Sequence, residues 1–287
     1  AALLAWADVL CPTVTDRLDA ALFEALPAAQ QTTRLLANFG VGFNHIDLTA
    51  AHARGLRVTN TPGVLTDATA ELTIAALLAL ARRLGEGERR VRAGRWHGWA
   101  PTQLLGQSLT GRTLGVFGFG RIGAAVARRA ELGLGMRVRY LNRSPVAASV
   151  VKGLEAAPCT SLDELLAVSD VLSLHCPSTP ETRGLLNAER LRQLRPGTLL
   201  VNTARGDLID EAALATALSN GELAGAALDV HAREPVVEPA LLTLENVVLL
   251  PHLGSATAAT REAMGRRAAL NIEAFAAGTP LPDLVRG

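Results

Sequence analysis

The chain has 287 residues, of which 49% are hydrophobic and 19% charged; these proportions describe a globular protein and exclude a disordered one. Its 28 Lys and Arg balance 27 Asp and Glu, and the net charge of +1 argues against a surface for nucleic acid or anionic lipid. The longest apolar run, Ile74–Ala81, is far below the ~20 residues that span a bilayer. At roughly 150 residues per domain, the length predicts about two domains.

Cysteine content and the start of the chain bear on the compartment. Cys11, Cys159 and Cys176 form neither a CxxC pair nor an even set, which favours a reducing compartment. The chain opens at Ala1 with no basic segment ahead of an apolar one, so we expect no secretory signal. Residues 1–8 resemble the end of a helix leading into a strand, as though the start were trimmed. We therefore expect a cytoplasmic protein without nucleic-acid or membrane partners.

Short apolar runs alternate with helical stretches, the pattern of βα units around a parallel sheet. In the first part, strands are predicted at residues 9–11, Leu35–Asn38 and Leu56–Thr59, with a helix near Leu48–Arg54. Asn60-Thr-Pro-Gly then interrupts the chain. A long helix that opens at Thr66 is predicted from Asp67 to about Leu84, ending in Gly-Glu-Gly.

From Gly111 onward the alternation becomes regular. Strands are predicted at Thr113–Phe117, Met136–Leu141, Asp170–His175, Thr198–Asn202, Gly225–Asp229 and Val247–Leu250. Helices are predicted at Arg121–Leu132, Leu162–Val168, Ala188–Leu194, Glu211–Ser219 and Thr257–Ala277, with a capping box at Ser161-Leu-Asp-Glu164. The runs Leu199-Leu-Val and Val247-Val-Leu-Leu are typical of strands buried on both faces.

This order of elements predicts an α/β fold with two domains. Residues 66–257 would form a Rossmann domain, a doubly wound parallel sheet that binds a dinucleotide. A smaller substrate domain would be discontinuous, built from residues 1–65 and 258–287. The crossovers near Thr66 and Thr257 would act as hinges.

A glycine fingerprint carries the cofactor prediction. Gly118-Phe-Gly120-Arg-Ile-Gly123 follows a predicted strand and opens a predicted helix. The first glycine permits a tight turn, the second lets the backbone approach a pyrophosphate, and the third lets the helix pack on the strand. The helix N-terminus would then offer free N–H groups to the phosphates. Because the motif stands between a predicted strand and a predicted helix, it favours dinucleotide binding over the alternative of a merely structural turn.

The end of the second Rossmann strand bears on the choice of cofactor. An acidic residue expected there would bind the ribose 2′-hydroxyl of NAD, but this chain has Asn142-Arg143-Ser144. No carboxylate repels a 2′-phosphate, and Arg143 and Ser144 can bind one. We therefore predict that NADP(H) is preferred and that NAD(H) remains possible; the alternative is that Arg143 is a solvated loop residue.

Three polar residues follow predicted strands at the edge where open α/β sheets bind ligands. Arg205, Glu234 and His252 each come after a different strand, so they can converge beside a nicotinamide. Each also has an ordinary interpretation: Arg205 as a surface cation, Glu234 as a solvated loop acid and His252 as a core imidazole. The six histidines supply no HExxH and no cluster with cysteine, so no metal site is expected.

The segments around these residues resemble the D-isomer-specific 2-hydroxyacid dehydrogenases. They are Val201-Asn-Thr-Ala-Arg205-Gly-Asp-Leu-Ile-Asp210, Ala227-Leu-Asp-Val-His-Ala-Arg-Glu234-Pro and Pro251-His252-Leu-Gly-Ser-Ala-Thr. The segments at 38–47, 60–71 and 96–103 are similar to the glyoxylate/hydroxypyruvate reductase (D-glycerate dehydrogenase) branch. The resemblance covers nearly the whole chain, although family members begin with a further βα unit. It implies a flavodoxin-like substrate domain.

The resemblance implies a reduction of 2-oxo acids to D-2-hydroxy acids by hydride transfer from NAD(P)H. The family's proton donor matches His252, and the acid paired with it matches Glu234, whose charge favours the imidazolium. The family's arginine matches Arg205, which would hold the substrate carboxylate and polarise the carbonyl. Val41 and Gly42 match a loop whose backbone N–H groups receive that carboxylate. The substrate would then lie between the domains, whose closure excludes water.

Further binding residues follow from the same resemblance. Trp99 and Ser255 would contact the substrate together with Arg205 and His252, and Trp99 would do so in the neighbouring subunit of a homodimer formed through the helix after Thr66. Asp229 is expected near the carboxamide, whereas Cys176 is expected as a cofactor wall and not as a nucleophile. The cofactor site would comprise Thr69, Gly118, Gly120, Arg121, Ile122, Gly123, Asn142, Arg143, Ser144, Cys176, Pro177, Thr203, Ala204, Arg205, Asp229, His252 and Gly254.

Other functions on this scaffold stay open at this point. Formate dehydrogenase shares the fold but has a glutamine where this chain has Glu234. Phosphoglycerate dehydrogenase commonly keeps an Asp where Asn142 stands. A transcriptional corepressor uses the scaffold only to bind a dinucleotide and would leave Arg205, Glu234 and His252 without a task. The preferred 2-oxo acid is left undecided, because one methylene in a pocket is worth only ~1–3 kcal/mol.

Overall fold

The structure is a computed structural model that describes residues 2–286 and contains two compact units. One unit comprises the residues up to Leu65 together with those from Ser255 onward, and the other comprises Thr66–Gly254. The second boundary therefore falls three residues before the one expected after residue 257. The reason is local: the backbone N–H groups of Leu253 and Gly254 are bound by Asp229, whereas Thr257 caps the helix that follows it.

Ten strands and eleven α-helices are present among the described residues. The strands are β1 Val9–Leu10, β2 Leu35–Ala37, β3 Arg57–Thr59, β4 Thr113–Phe117, β5 Arg137–Leu141, β6 Ala157–Pro158, β7 Val171–Leu174, β8 Leu199–Asn202, β9 Gly225–Leu228 and β10 Val247–Leu249. The helices are α1 Ala20–Glu24, α2 Leu48–Ala53, α3 Thr66–Ala81, α4 Leu84–Arg92, α5 Arg121–Leu134, α6 Ala148–Val151, α7 Leu162–Val168, α8 Ala188–Leu191, α9 Glu211–Ser219, α10 Pro239–Leu242 and α11 Ala258–Ala276.

The larger unit is a seven-stranded parallel sheet in the order β10-β9-β8-β7-β4-β5-β6. The chain winds outward from β4 through β5 and β6, then returns to β7 and winds the other way. The sheet therefore reverses direction between β4 and β7, and ligands of such sheets bind outside the carboxyl ends of the strands at that point. This confirms the predicted α/β fold with a Rossmann-type sheet.

The core of this sheet explains why its strands are continuously apolar. Every residue of β7, β8 and β9 is buried, because helices pack against both faces of the sheet. The seventh strand, β6, was not predicted: it has two residues, includes Pro158 and lies at the sheet edge, where a missing N–H is tolerated.

The smaller unit has a three-stranded parallel sheet in the order β1-β2-β3. Its core joins these strands to α1 and α2 through Phe23, Leu36, Ala51 and Val58. Asp19 and Asp47 cap the two helices by accepting backbone N–H groups in their first turns. The five-residue α1 was not predicted, because so short a helix shows little periodicity.

The long helix predicted from Asp67 to about Leu84 is α3, which ends at Ala81, and a helix that was not predicted, α4, follows it from Leu84. Arg83 has a φ of +52° and separates α3 from α4. The Gly-Glu-Gly sequence that was expected to end the helix lies inside α4. There Glu86 is buried and accepts hydrogen bonds from Arg83 at 2.8 Å and Arg90 at 3.0 Å. Satisfying that buried carboxylate offsets the two glycines within the helix.

The capping box predicted for α7 is formed only in part. The Ser161 hydroxyl accepts the N–H of Glu164 at 3.1 Å, as expected. The Glu164 carboxylate, however, accepts the backbone N–H of Thr160 at 2.7 Å instead of reaching back to Ser161. Within residues 2–286, no helix is both long enough and apolar enough to cross a membrane.

Candidate active site

The glycine loop joins β4 to α5 beside the point where the sheet reverses. Gly118 has a φ of +94°, and a Cβ there would lie 2.7 Å from the backbone N of Cys176. A Cβ on Gly123 would lie 2.2 Å from the carbonyl oxygen of Gly118. A Cβ on Gly120, by contrast, would meet no atom of the described residues within 4 Å. Two glycines are therefore required by packing, and the middle one leaves open space where a pyrophosphate can approach.

The N-terminus of α5 faces this loop with unused hydrogen-bond donors. The first bond within the helix runs from Ala124 N to Gly120 O at 2.9 Å. The N–H groups of Arg121, Ile122 and Gly123 precede it and have no acceptor within the helix. Because α5 has 14 residues, its dipole adds positive potential at this end. Loop and helix together fit the phosphates of a dinucleotide.

Asn142 directly follows β5, and its side chain is turned onto the glycine loop. Its Oδ1 accepts the backbone N–H of Phe119 at 2.9 Å, and its Nδ2 donates to the carbonyl of Ser144 at 2.8 Å. A carboxylate at this position could accept the first bond but could not donate the second. The asparagine therefore holds both the glycine loop and the turn that carries Arg143.

Arg143 and Ser144 are exposed on that turn. A neighbouring acid, Glu181, lies on the loop after β7. The pKa of Glu181 is lowered first by a hydrogen bond from the Thr179 hydroxyl and further by the positive charge of Arg143. Arg143 thus carries its charge beside the glycine loop, on the turn for which the sequence predicts a 2′-phosphate.

The carboxyl ends of β7 and β8 supply four more of the predicted cofactor residues. Cys176 and Pro177 follow β7, and burial raises the pKa of the Cys176 thiol to about 12, so the thiol stays protonated. Thr203 and Ala204 follow β8, and the buried Thr203 hydroxyl lies 2.8 Å from that of Thr73. These side chains can form an uncharged wall, and a nucleophilic role for Cys176 is not supported.

Asp229 organises the turn that carries His252. Its two carboxylate oxygens accept the N–H groups of Leu253 at 2.6 Å and Gly254 at 2.8 Å, while its carbonyl accepts the N–H of His252 at 2.9 Å. Burial raises the pKa of Asp229, although these hydrogen bonds and the nearby His252 act in the opposite direction. Thr69 lies in α3, and its hydroxyl donates to the carbonyl of Gly254 over a distance of 3.0 Å. The turn is therefore fixed from both sides, which sustains a φ of +56° at His252.

His252 and Glu234 form a hydrogen-bonded pair. The distance between His252 Nδ1 and Glu234 Oε2 is 2.9 Å, and the two side chains are 28% and 26% exposed. The other carboxylate oxygen of Glu234 accepts the backbone N–H of His231 at 3.1 Å. Burial raises the pKa of Glu234, but the hydrogen bond and charge of His252 outweigh it and the pKa is lowered. Because Nδ1 is taken by the carboxylate, Nε2 is the ring nitrogen left for a substrate.

Arg205 follows β8 on a turn shaped by buried Asn202, which accepts from Ala204 N at 3.0 Å and donates to Arg205 O at 2.8 Å. Burial lowers the pKa of the guanidinium, whereas the carboxylates of Glu234 and Asp207 raise it, and an arginine stays charged throughout. Gly206 lets this turn approach the next: a Cβ there would lie 2.0 Å from the carbonyl carbon of His231. A cation thus lies within electrostatic reach of the Glu234–His252 pair.

The predicted substrate loop, Val41 and Gly42, belongs to the smaller unit, as does Ser255. Asn38 donates to the carbonyl of Gly42 at 3.0 Å and Asn60 donates to that of Val41 at 2.8 Å. In a trans peptide the carbonyl of Val41 and the N–H of Gly42 point in opposite directions. Because the Val41 carbonyl faces Asn60, the N–H of Gly42 points away from Asn60. Trp99 is 83% exposed in the larger unit.

Several residues that build the site were not singled out from sequence. Asn38, Asn60, Asn202 and His231 lie within the segments that resemble the family, but the sequence indicated no role for them. Glu211 lies just outside those segments. Asp207 accepts a hydrogen bond from Ser178 at 2.6 Å. Across residues 2–286, no group of three or more His, Cys, Asp or Glu side chains is arranged to hold a metal ion.

A doubly wound sheet with a glycine loop at its reversal, and with an arginine beside a carboxylate–imidazole pair, defines a dinucleotide-dependent dehydrogenase. Residues 74–254 match the model for the "D-isomer specific 2-hydroxyacid dehydrogenase, NAD binding domain". The chain belongs to the D-isomer-specific 2-hydroxyacid dehydrogenase family. It is therefore an oxidoreductase that uses a nicotinamide dinucleotide, and the resemblance found in the sequence is confirmed.

Three relatives illustrate the similarity. The glyoxylate reductase of Thermococcus litoralis is 45% identical, and the match covers 97% of this chain and 83% of that protein. The glycerate dehydrogenase of Hyphomicrobium methylovorum is 40% identical over 96% of this chain and 84% of that protein. An NADPH-dependent glyoxylate/hydroxypyruvate reductase from Sinorhizobium meliloti, solved with NADP and malonate, has a TM-score of 0.88 and 39% identity, covering 99% of this chain and 86% of that one.

Proposed function

We propose that this enzyme reduces small 2-oxo acids of the glyoxylate and hydroxypyruvate type to D-2-hydroxy acids, with NADPH preferred to NADH. The observation that carries the proposal is the hydrogen bond of 2.9 Å between His252 Nδ1 and Glu234 Oε2, which leaves Nε2 for a carbonyl oxygen. The names of the relatives, glyoxylate reductase and glycerate dehydrogenase, support the same substrate class.

In this proposal His252 is the proton donor and Glu234 sustains its charge. An imidazolium donates one N–H to Glu234 and the other, from Nε2, to the carbonyl oxygen of the substrate. The lowered pKa of Glu234 keeps the acid ionised when His252 is charged. When bound, the dihydronicotinamide supplies the hydride that the carbonyl carbon accepts. Reduction then consumes one hydride and one proton, and the reverse reaction returns the proton to His252.

Arg205 is proposed to hold the carboxylate of the substrate. A guanidinium forks onto both oxygens of a carboxylate, which fixes the direction of the adjacent carbonyl. The same cation polarises the carbonyl and stabilises the negative charge that develops on its oxygen. Val41, Gly42, Ser255 and Trp99 remain further candidates for substrate binding, on the basis of the family resemblance.

For the cofactor we propose the residues of the glycine loop and of the strand ends beside it. Gly118, Gly120 and Gly123, with the N–H groups of Arg121 and Ile122, would hold the pyrophosphate. Arg143 and Ser144 would bind a 2′-phosphate, and Asn142 would hold their turn in place through the Ser144 carbonyl. The remaining proposed cofactor residues are Thr69, Cys176, Pro177, Thr203, Ala204, Arg205, Asp229, His252 and Gly254. We further propose a cytoplasmic homodimer.

A steady-state assay tests substrate class and cofactor together. Glyoxylate, hydroxypyruvate and a 2-oxo acid with a bulky side chain are compared, each with NADPH and with NADH. We expect the highest kcat/KM for one of the two small acids with NADPH. Turnover of none of the three acids with either cofactor would refute the proposed function, and a higher kcat/KM with NADH would refute only the cofactor preference.

A further inference from the structure

A buried acid and a buried histidine lie beneath the catalytic pair. Glu211 is the first residue of α9, and His231 follows β9 in the segment that leads to Glu234. Their side chains are 6% and 5% exposed, and Glu211 Oε1 lies 3.7 Å from His231 Nδ1. Neither residue has a role in the proposed reaction. Two ionisable groups are rarely buried together unless each compensates the charge or the hydrogen-bonding requirement of the other.

His231 connects the two segments that carry Glu234 and His252. Its backbone N–H donates to Glu234 Oε1 at 3.1 Å. Its ring Nε2 lies 3.1 Å from the carbonyl oxygen of Leu250, two residues before His252. A carbonyl only accepts hydrogen bonds, so Nε2 carries a hydrogen and, in the neutral ring, Nδ1 does not. One side chain thus ties the Glu234 loop to the end of β10.

Glu211 faces the other side of the same imidazole. Its Oε1 accepts the backbone N–H of Ala232 at 3.0 Å, and burial raises the pKa of its carboxyl. His231 Nδ1 has no hydrogen-bond partner among the described residues. A protonated Glu211 can donate to that nitrogen after a small approach, and an ionised one can accept from a charged imidazole. In either state a single proton could bridge the two side chains once they move from 3.7 Å to hydrogen-bond distance.

The turn that carries Arg205 rests on this same segment. A Cβ on Gly206 would lie 2.0 Å from the carbonyl carbon of His231 and 2.3 Å from Ala232 N. A displacement of residues 231–232 would therefore be transmitted to Arg205 as well as to Glu234 and His252. The segments bearing all three proposed catalytic residues meet at the buried pair.

We propose that Glu211 and His231 are positioning residues, which act as one buried pair to hold Glu234 against His252. This inference rests on the proposed function, because it assumes that the Glu234–His252 pair delivers the proton. Neither residue touches the substrate. Their contribution is to fix the backbone N–H that Glu234 accepts and the strand end that places His252.

The charges around the pair set the background for a pH test. Glu211 is faced by His231, Glu238 and Arg233. The negative charge of Glu238 raises the pKa of the Glu211 carboxyl, and the positive charge of Arg233 lowers it. Glu234 is faced by His252 and His231, and its own charge acts on Arg205 and on Asp229. Replacing Glu211 by Gln or by Met removes the same carboxyl and leaves these other groups in place. A shift in the pH profile that appears only in the Met variant can therefore be assigned to the lost hydrogen bonds.

The test compares Glu211→Gln with Glu211→Met in the full chain. Gln can still accept from Ala232 and donate to His231 Nδ1, whereas Met has similar size and can do neither. We expect Glu211→Met to lower kcat about tenfold, less than the roughly hundredfold that a misplacement of 1 Å can cost, with NADPH affinity unchanged. Its activity should also decline at lower pH than in the wild type. Glu211→Gln should stay close to the wild type in both respects.

A double-mutant cycle shows whether Glu211 acts through Glu234. In a Glu234→Gln background, Glu211→Met should cost much less than it does in the wild type. An equal loss in both backgrounds, or a Met variant with wild-type kcat and pH profile, would overturn the inference. So would a Gln variant as impaired as Met. If Glu211→Met does not fold, His231→Gln, which can still donate to Leu250, should outperform the shorter His231→Asn. Equal activity would overturn the positioning role of His231.

Two further measurements separate this inference from the proposed function. His252→Ala in the same assay tests the function itself: wild-type turnover there refutes it, whereas an inactive His252→Ala beside an unaffected Glu211→Met refutes only the positioning role. The second is ¹⁵N NMR of the histidines in the cofactor-free chain, with the His231 signal assigned by its loss in His231→Gln. A hydrogen on Nε2 supports the pair, and a neutral ring with its hydrogen on Nδ1 contradicts it.

Discussion

Replacing Glu234 by Gln removes the negative charge beside His252 and leaves most of the shape of the site. Gln can still accept the N–H of His252 Nδ1, so the pair loses the assistance of charge but keeps a neutral hydrogen bond. The imidazolium is then less stabilised relative to the neutral ring. Reduction of the 2-oxo acid, which needs the imidazolium, should therefore decline at lower pH than in the wild type.

The structure sets the size of this effect. The atoms are 2.9 Å apart and each side chain is about three-quarters buried, so the bond is short and partly shielded from water. A neutral hydrogen bond contributes about 1 kcal/mol and a charge-assisted one roughly twice that. The loss of about 1 to 1.5 kcal/mol corresponds to a shift of about one pH unit, at 1.36 kcal/mol per unit.

The assay is the pH dependence of kcat/KM for hydroxypyruvate with saturating NADPH. Glu238→Gln is the matched control, because Glu238 lies on the same segment but pairs with Arg233 at 3.3 Å. The alkaline limb of the profile should move about one unit lower in Glu234→Gln and stay in place in Glu238→Gln. An unmoved limb in Glu234→Gln, or equal shifts in both variants, would show that the charge of Glu234 does not sustain His252.

Three other perturbations give separate tests. Arg205→Lys should raise KM for the 2-oxo acid and lower kcat, because an ammonium lacks the planar fork. A change in NADPH affinity alone would show that Arg205 serves the cofactor and is not the substrate anchor. Gly120→Ala should keep the wild-type unfolding temperature but bind the dinucleotide more weakly, because its Cβ enters the open space of the loop. Gly123→Ala should lower the unfolding temperature, because its Cβ would lie 2.2 Å from the carbonyl oxygen of Gly118. The reverse pattern would contradict the assignment of the loop. Arg143→Ala should reduce the NADPH-to-NADH ratio of kcat/KM by about 10- to 100-fold, which is the equivalent of a charged hydrogen bond of ~1.5–3 kcal/mol. Adding Asn142→Asp should reverse the cofactor preference. An unchanged ratio in Arg143→Ala would show that Arg143 does not contact the 2′-phosphate.

The parts of the fold that sequence predicted are those set by local pattern. The glycine spacing at Gly118, Gly120 and Gly123 predicts a strand–turn–helix, because each glycine answers a short-range steric demand. Continuous apolar runs predict buried strands such as β8. Glu234 and His252 could be placed together because each follows a strand, and those two strands, β9 and β10, are neighbours in the sheet.

The rest depends on contacts that no local pattern encodes. The break between α3 and α4 arises at Arg83, where two arginines converge on buried Glu86. Asn142 stands where an acidic residue would bind the ribose of NAD, but no sequence pattern indicates that its amide binds Phe119 and Ser144. Glu211 and His231 are 20 positions apart in the sequence and meet only because α9 packs beside the carboxyl end of β9.

The most direct test of the account is the reduction of hydroxypyruvate by NADPH with His252→Ala beside the wild type, with NADPH binding measured on both proteins by fluorescence. Removing the proposed proton donor takes away the imidazole without touching the glycine loop. The account predicts that the variant binds NADPH nearly as tightly as the wild type, because His252 is one of many proposed cofactor contacts. It also predicts a loss of at least 100-fold in kcat, within the range that a positioned acid contributes. Wild-type kcat in a variant that binds NADPH normally would contradict it.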